Sequence, residues 1–493
     1  MDALLIVAPW GVEDGHLAKG TGGRYPPLGL LYVAGMCESR GHSVRVIDAI
    51  VEDKSYEDIE ASVRQHQPRF VGLTSVTTQI HNTQRVAAMV KRVSPDSKVV
   101  VGGSHASVVP AEVMQDANID YVIRGEGEYS FTQLVGDEPL ESILGLSYRS
   151  GGGLGPVRHN PAGEPIMDLD ALPMPAYHLT RFELYRPSVG SYKRLPAIAM
   201  MSTRGCPGKC TFCSSAETAL RTRSSENIVN EIETLQGRYG VREINFYDDT
   251  FTIFKNNVVR FCDLVVERGI DLTWSCFARV DCVSKSLLKK MRAAGCHQIL
   301  YGVESADPLI LKNIGKDIDL ERTRTAVRMT RKAGIGVRCT FMFGNPGETV
   351  QSMRRTIDFA KELNPDIAMF NITAPIPGTK LYDWAKRNGH LLTDDWRDYD
   401  AAKVIMELPT VSNDEVNRMY RTAYHEFYLR PRYLLKRLMR MRNLEDVKMS
   451  LRAIHSILTV RTTNPISKLR KRGRRDVQEL SLPVLVPAAA DVC

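Results

Sequence analysis

The chain has 493 residues, a net charge of +8, and a composition of 43% hydrophobic and 25% charged residues, which predicts a globular protein of two to four domains. No apolar run reaches the roughly 18 residues of a membrane-spanning helix. The start MDALLIVAPW has neither the basic region nor the cleavage site of a secretory leader, so the expectation is a cytoplasmic protein.

Residues 1–140 alternate short apolar runs with helical patterns. ALLIVA (3–8), SVRVID (43–48), FVGLTS (70–75), KVVVGG (98–103) and DYVIRG (120–125) are too uniformly apolar for one-sided strands, which argues for a parallel sheet covered on both faces. Stretches near 28–40, 56–67, 77–93 and 110–117 have the length of crossover helices. The expected unit is a doubly wound, Rossmann-like α/β domain. Such sheets bind ligands at the carboxyl ends of their strands. Here those ends carry Thr74 and Ser75, then Gly102, Gly103 and His105, then Gly125 and Glu126. No G-x-G-x-x-G follows the first strand, which disfavours a dinucleotide. Residues 141–195, rich in Gly and Pro, read as a linker with a short hairpin.

From 196 to 395 the alternation resumes with AIAMMST, EINFYD, TWSCFA, HQILYGV, VRCTFMF and DIAMFNI. Six such units predict a partial or full (β/α) barrel with its chemistry at the carboxyl ends of the strands. Residues 396–461 read as a helical extension, and 462–493, basic and then Pro/Ala-rich, as a disordered tail.

RGCPGKCTFC directly follows the first barrel strand and puts three of the ten cysteines, Cys206, Cys210 and Cys213, into a C-x3-C-x2-C spacing. Structural zinc takes four protein ligands, and no second pair or neighbouring His completes a tetrahedron. Three thiolates suit a cubane iron-sulfur cluster that keeps one iron open to a ligand, since a fourth cysteine would close it.

With Phe212 before the last cysteine, this loop resembles that of the radical S-adenosylmethionine enzymes. The resemblance implies a [4Fe-4S] cluster whose open iron chelates the methionyl group of S-adenosylmethionine, with Phe212 near the adenine. Tyr247-Asp248-Asp249 stands where the family has an acid for the methionyl ammonium, by position and charge, with either Asp as candidate. Glu304 and Ser305 in GVES, Arg338, the loop GNPGET (344–349) and Pro377 in PIPGTKLY (375–382) resemble further S-adenosylmethionine-proximal elements.

YPPLGLLYVAG (25–35), VGGSHAS (101–107) and RGEGE (124–128) look like the cobalamin-binding domain of B12-dependent radical enzymes, which include methylases and the anaerobic porphyrin ring cyclase. On that resemblance, Thr74, Ser75, Gly102, Gly103, His105, Gly125 and Glu126 are the candidate cobalamin contacts. The D-x-H-x-x-G motif that supplies a lower cobalt ligand is absent; the segment Asp14 to Gly20 is one residue too long, so His16 is not expected to ligate.

The implied function is methylation of an unactivated carbon: the adenosyl radical removes a hydrogen and methylcobalamin provides the methyl group. Its rivals are a radical cyclisation or carbon–carbon bond formation on the same cofactors, a catalytically silent cobalamin sensor, and a zinc-dependent nucleic-acid binder. The implied partners are a small-molecule or lipid substrate and a flavodoxin- or ferredoxin-type electron donor. Between Arg430 and Arg475 fifteen Lys and Arg face only Glu445 and Asp446. Leu434, Leu435, Leu438, Met439 and Met441 interleave with them as in a basic amphipathic helix, which fits either peripheral membrane contact or a solvated helix packed on the barrel. No nucleic-acid reading module accompanies the charge.

Overall fold

The structure, a computed structural model, describes residues 1–10, 22–151, 155–188, 190–439 and 457. Its first sheet has seven strands in the order β2-β1-β3-β4-β5-β6-β7. Strands β1 (Ala3–Val7), β2 (Val44–Asp48), β3 (Phe70–Thr74), β4 (Lys98–Gly102) and β5 (Tyr121–Ile123) are parallel. The uniform apolarity of β1 follows from its neighbours on both sides. Ala3, Leu5 and Val7 join one core with Leu31, Ala34 and Phe131 from the helices Leu28–Ser39 and Glu128–Val135. Leu4 and Ile6 join a second core with Ile59, Val63, Val86 and Val90 from the helices Tyr56–His66 and Ile80–Val93.

The hairpin expected in the 141–195 segment is not free-standing. Its strands β6 (Leu146–Arg149) and β7 (Val157–His159) add antiparallel to β5 and extend the sheet. The end of the same segment closes the floor of the central domain. There the Gly190 carbonyl accepts from Gln298 Nε2 at 3.1 Å, and the backbone N–H groups of Lys193 and Arg194 donate to Glu243 Oε2 at 2.7 Å.

The central sheet consists of β8 (Ala197–Met200), β11 (Glu243–Phe246), β12 (Thr273–Ala278), β13 (Cys296–Glu304), β14 (Gly336–Phe343) and β15 (Ile367–Ile372). All pairs are parallel, and the order β15-β14-β13-β12-β11-β8 leaves β8 and β15 unpaired with each other, so the barrel is open. The two faces of this sheet differ. Outward-facing Tyr301, Val337, Cys339, Phe341 and Phe343 are fully buried under helices. Inward-facing Phe277, Leu300, Gly302, Arg338, Thr340, Met369 and Asn371 are only half-buried. A closed barrel would fill its whole interior with side chains; here inward-facing Asn245, Ser275 and Gln298 are buried and fill the floor, and the hollow lies above them, toward the mouth.

A two-stranded antiparallel ladder, β9 (Thr203–Arg204) with β10 (Arg221–Thr222), stands beside the first barrel strand. The helix Asn413–Tyr428 covers β15, its Tyr424 and Tyr428 hydroxyls donating to the Phe370 and Ala368 carbonyls at 2.9 and 2.7 Å. The helix Pro431–Leu438 follows and leaves Leu434, Leu435 and, just beyond it, Met439 exposed. The rest of the helical extension expected to reach 461, Ile457 apart, and the tail at 462–493 lie outside the described residues. Among the described residues no helix is long and apolar enough to cross a membrane.

Candidate cofactor and substrate site

The cysteine loop is the span between β9 and β10, so the ladder pins both of its ends. Entry depends on Gly205, at φ +87°, where a β-carbon would fall 2.0 Å from the Ala219 carbonyl oxygen. Thr218 Oγ1 accepts from the Cys206 N–H at 3.0 Å, and the Gly208 N–H lies 3.4 Å from Cys206 Sγ. Two neighbouring loops hold Thr211: its N–H donates to the Ile314 carbonyl and its carbonyl accepts from the Leu381 N–H, both at 2.9 Å. Cys206, Cys210 and Cys213 form no disulfide and are partly accessible. Burial pushes the Cys210 and Cys213 thiols up, while Lys316 and Arg279 act in the other direction on Cys210.

Among the described residues no three His, Cys, Asp or Glu side chains converge tightly enough to hold a single metal ion. A cubane takes one thiolate on each of three irons, so its sulfurs stand further apart, and the donor set of three fits it.

The acids at the barrel mouth separate by role. Asp248 is fully buried, and its carboxylate accepts from the Ser202 and Thr203 N–H groups at 2.7 and 3.0 Å and from the Ser202 hydroxyl. Burial still raises its pKa to about 6. Asp249 stays accessible and interacts with Ser215 and with Cys213, its own pKa raised by the surrounding protein. Of the pair, Asp249 is the one available to a ligand at the cysteine loop.

Glu304 ends β13 with φ +66°, a left-handed conformation that a glutamate adopts only under constraint. Its carboxylate, with a pKa raised by burial, lies 3.4 Å from Lys316 Nζ and accepts from Thr340 Oγ1 at 3.2 Å. Gly302 makes room for this pair, since a β-carbon there would meet Glu304 Oε1 at 2.4 Å and Lys316 Nζ at 2.9 Å. Lys316 thus stands between Glu304 and Cys210, a cation that sequence patterning did not single out. Ser305 is buried and serves the local backbone, accepting from the Asp307 N–H at 3.1 Å. Phe212 packs its ring on the main core. Pro377 is buried in a loop that bridges the two domains: Gly378 abuts Val108, Leu381 holds Thr211, and Lys380 pairs with Glu217 beside the cysteines. Arg338 lies deeper, on the inward face of β14, with its Nη2 3.7 Å from Met369 Sδ.

The carboxyl edge of the first sheet faces this mouth. Gly103 has φ +94°, and a β-carbon would fall 2.7 Å from the Ser75 carbonyl oxygen, so the ends of the adjacent strands β3 and β4 approach each other closely at Thr74, Ser75 and Gly103. Beside it Gly102 would meet only the Ile123 carbonyl, at 3.8 Å, and Gly125, at φ +81°, has nothing within 4 Å of a β-carbon position. Exposed Val76 and Val108 flank this glycine-lined shelf. A broad, largely apolar macrocycle such as a corrin fits such an edge, and the fit rests on backbone and methyl groups.

Two cobalamin candidates are placed otherwise than expected. His105 is fully buried in the short helix Ser104–Val108, its Nδ1 3.3 Å from Thr77 Oγ1 and its ring edge-on to Trp396 at 5.2 Å. Burial lowers its pKa to about 4, and it offers no exposed face to a ligand. The Glu126 carboxylate is committed to Arg221 at 2.8 Å, Arg204 at 3.2 Å and the Ile166 N–H at 2.8 Å, while Glu128 takes the other Arg204 nitrogen at 2.6 Å. The RGEGE segment therefore clamps the ladder that carries the cysteines. His16 lies outside the described residues.

Comparison with known proteins agrees with this arrangement. Residues 17–135 match the B12 binding domain family, and residues 200–360 match the Radical SAM superfamily. The chain is 35% identical over 444 residues to an uncharacterized methyltransferase of Pyrococcus horikoshii, spanning 88% of this chain and 94% of that relative. It is 28% identical over 425 residues to an anaerobic magnesium-protoporphyrin IX monomethyl ester cyclase of Rubrivivax gelatinosus, spanning 84% and 75% of the two chains. The solved structure of the radical S-adenosylmethionine methyltransferase TsrM from Kitasatospora setae, with cobalamin and a [4Fe-4S] cluster bound, superposes with a TM-score of 0.67 at 17% identity, spanning 92% of this chain and 99% of that one. The chain belongs to the cobalamin-binding radical S-adenosylmethionine enzymes, whose cofactors are a [4Fe-4S] cluster, S-adenosylmethionine and cobalamin.

Proposed function

We propose that this enzyme methylates an unactivated carbon of a small-molecule substrate, with electrons from an external flavodoxin- or ferredoxin-type donor. The observation that carries the reading is that the glycine-lined sheet edge and the three-cysteine loop meet at one barrel mouth, joined by Glu126 to Arg204 and Arg221 and by Gly378 against Val108. When bound, the cluster and S-adenosylmethionine would supply a hydrogen-abstracting radical and cobalamin a transferable methyl group. Cys206, Cys210 and Cys213 would each hold one iron, and their partly exposed position leaves the fourth corner to a ligand. Asp249 would accept from the methionyl ammonium, and Lys316 would pair with the methionyl carboxylate. Gly102, Gly103 and Gly125 would let the corrin approach the backbone, while the Glu126 to Arg204 and Arg221 clamp fixes the distance between the two cofactor sites. Water is kept from the space between them by the loop carrying Pro377 and by the closed barrel floor.

Radical ring closure is the second reading, favoured by the similarity to the porphyrin ester cyclase. Anaerobic reconstitution followed by product analysis separates the two. Methylation yields both S-adenosylhomocysteine and 5'-deoxyadenosine in the presence of substrate, whereas a cyclase yields 5'-deoxyadenosine with little S-adenosylhomocysteine. Absence of 5'-deoxyadenosine from reduced, cluster-loaded protein would overturn both.

A further inference from the structure

The hollow face of the barrel contains a guanidinium that no carboxylate among the described residues neutralises. Arg338 is the third residue of β14 and shares a register row with Leu300 and Ile367, while Leu300 in turn pairs with Phe277. The next row toward the mouth holds Gly302, Thr340 and Met369. At the usual strand rise the step from Arg338 to Thr340 is about 7 Å, and Thr340 is the residue that reaches Glu304. Arg338 therefore sits one layer beneath the cysteines, Asp249 and Lys316.

Its polar atoms are poorly served. Nε is buried and has no hydrogen-bond partner, and Nη2 reaches only the Met369 thioether. Burial lowers its pKa, and the groups that act on it in the other direction are phenols, those of Tyr247, Tyr25 and Tyr428. Other enclosed arginines are treated differently. Arg204 and Arg221 pair with Glu126, and Arg223 pairs with Glu231 at 2.5 Å. An enclosed cation without a counter-ion is costly, and an incoming anion removes that cost.

The walls beside it are aromatic. Tyr247, 38% exposed, has its ring 4.7 Å from that of Tyr25 and 5.1 Å from that of Phe277. Tyr25 comes from the first domain and is held there by its hydroxyl, which accepts from the Ser188 N–H at 2.8 Å. The methionyl carboxylate of S-adenosylmethionine has a nearer cation in Lys316, at the level of the cysteines.

We propose that Arg338 is the counter-ion for a carboxylate or phosphonate group of the substrate, whose planar or apolar part lies along Tyr25, Tyr247 and Phe277. Anchored by its acidic end one layer down, the substrate projects its far end toward the mouth, where hydrogen abstraction would occur. Arginine suits this task because its planar fork binds both kinds of anion bidentately. The inference rests on the radical-enzyme reading only for what happens at the far end of the substrate; the anion site stands on its own geometry.

The test uses full-length, cluster-loaded protein with S-adenosylmethionine and two probes, benzoate and phenylphosphonate, titrated calorimetrically into wild type, Arg338→Gln and Arg338→Lys. The expected result is binding of at least one probe to wild type, weakened about tenfold or more by Arg338→Gln and partly restored by Arg338→Lys, with S-adenosylmethionine affinity unchanged. The preferred probe identifies the anion as carboxylate or phosphonate. The proposal is overturned if neither probe binds wild type, if Arg338→Gln binds the probes as wild type does, or if it loses S-adenosylmethionine affinity instead. 5'-Deoxyadenosine assayed in the same wild-type protein after anaerobic reduction with dithionite keeps the two readings apart: probe binding without that product sinks the enzymatic reading alone, and the product without probe binding sinks the anion site alone.

Discussion

Asp248 and Asp249 are adjacent in the chain yet serve different structures: Asp248 is tied to the Ser202 and Thr203 backbone, while Asp249 faces Ser215 and Cys213. Replacing Asp248 by Ala leaves two buried N–H groups without an acceptor and is expected to cost about 1–3 kcal/mol of stability, read by urea unfolding. Asp249→Asn is expected to hold stability within about 0.5 kcal/mol and instead to weaken S-adenosylmethionine binding to the reconstituted protein, read by equilibrium dialysis. Equal effects of the two replacements on binding would remove the division of labour.

Lys316→Met tests the cation that stands between Glu304 and Cys210. A charge-assisted hydrogen bond is worth about 1.5–3 kcal/mol, so S-adenosylmethionine affinity is expected to fall roughly ten- to hundredfold. Iron and sulfide content should not change, because Lys316 ligates nothing. Loss of the cluster with the lysine would place its role in the loop itself.

Glu348 in the GNPGET loop gives a pH prediction. It is fully buried, accepts from the Asn345 N–H at 2.8 Å, and burial raises its pKa to about 8. The folded state thus binds a proton that the unfolded chain has released above the ordinary carboxylate range. Its contribution is complete below the unfolded pKa of about 4.5 and is lost as pH rises through 8. Glu348→Gln keeps the acceptor and removes the titration, so the decline of Tm between acidic and mildly alkaline pH should be shallower than in wild type. An unchanged slope would show that other groups carry the decline.

Glu126→Ala strips the clamp from the cysteine ladder. Arg221 and Arg204, only 7% and 11% exposed, would lose a shared carboxylate, and breaking such an enclosed pair costs about 3–5 kcal/mol. A lower Tm together with reduced iron retention is expected, with Glu126→Gln in between. A lower Tm with full iron retention would confine the clamp to a purely structural role.

Much of this was legible from the sequence for a physical reason. Strands such as β1 are apolar throughout because alternate residues enter different cores, and the three cysteines are close in the chain because one short loop carries them. Other features depend on distant partners. Nothing local marks His105 as buried, because Trp396, nearly three hundred residues away, covers it. Nothing local separates Asp248 from Asp249, because the turn at Ser202 decides which is consumed. Lys316 lacks any periodic or motif signature, and its role follows from the folding of Gly302 beneath it. The stretch read as a linker closes the barrel floor through Gly190, Lys193 and Arg194, contacts that composition does not encode.

The open barrel draws its cohesion from its outward faces, where Tyr301, Val337, Phe341 and Phe343 are sealed under helices. Residues turned to the hollow, among them Leu300 and Met369, bear little of that load. They can be exchanged one at a time without unseating the scaffold, so new chemistries are within reach of single replacements, and a lineage built on this frame can diversify its targets while its cofactor machinery stays put.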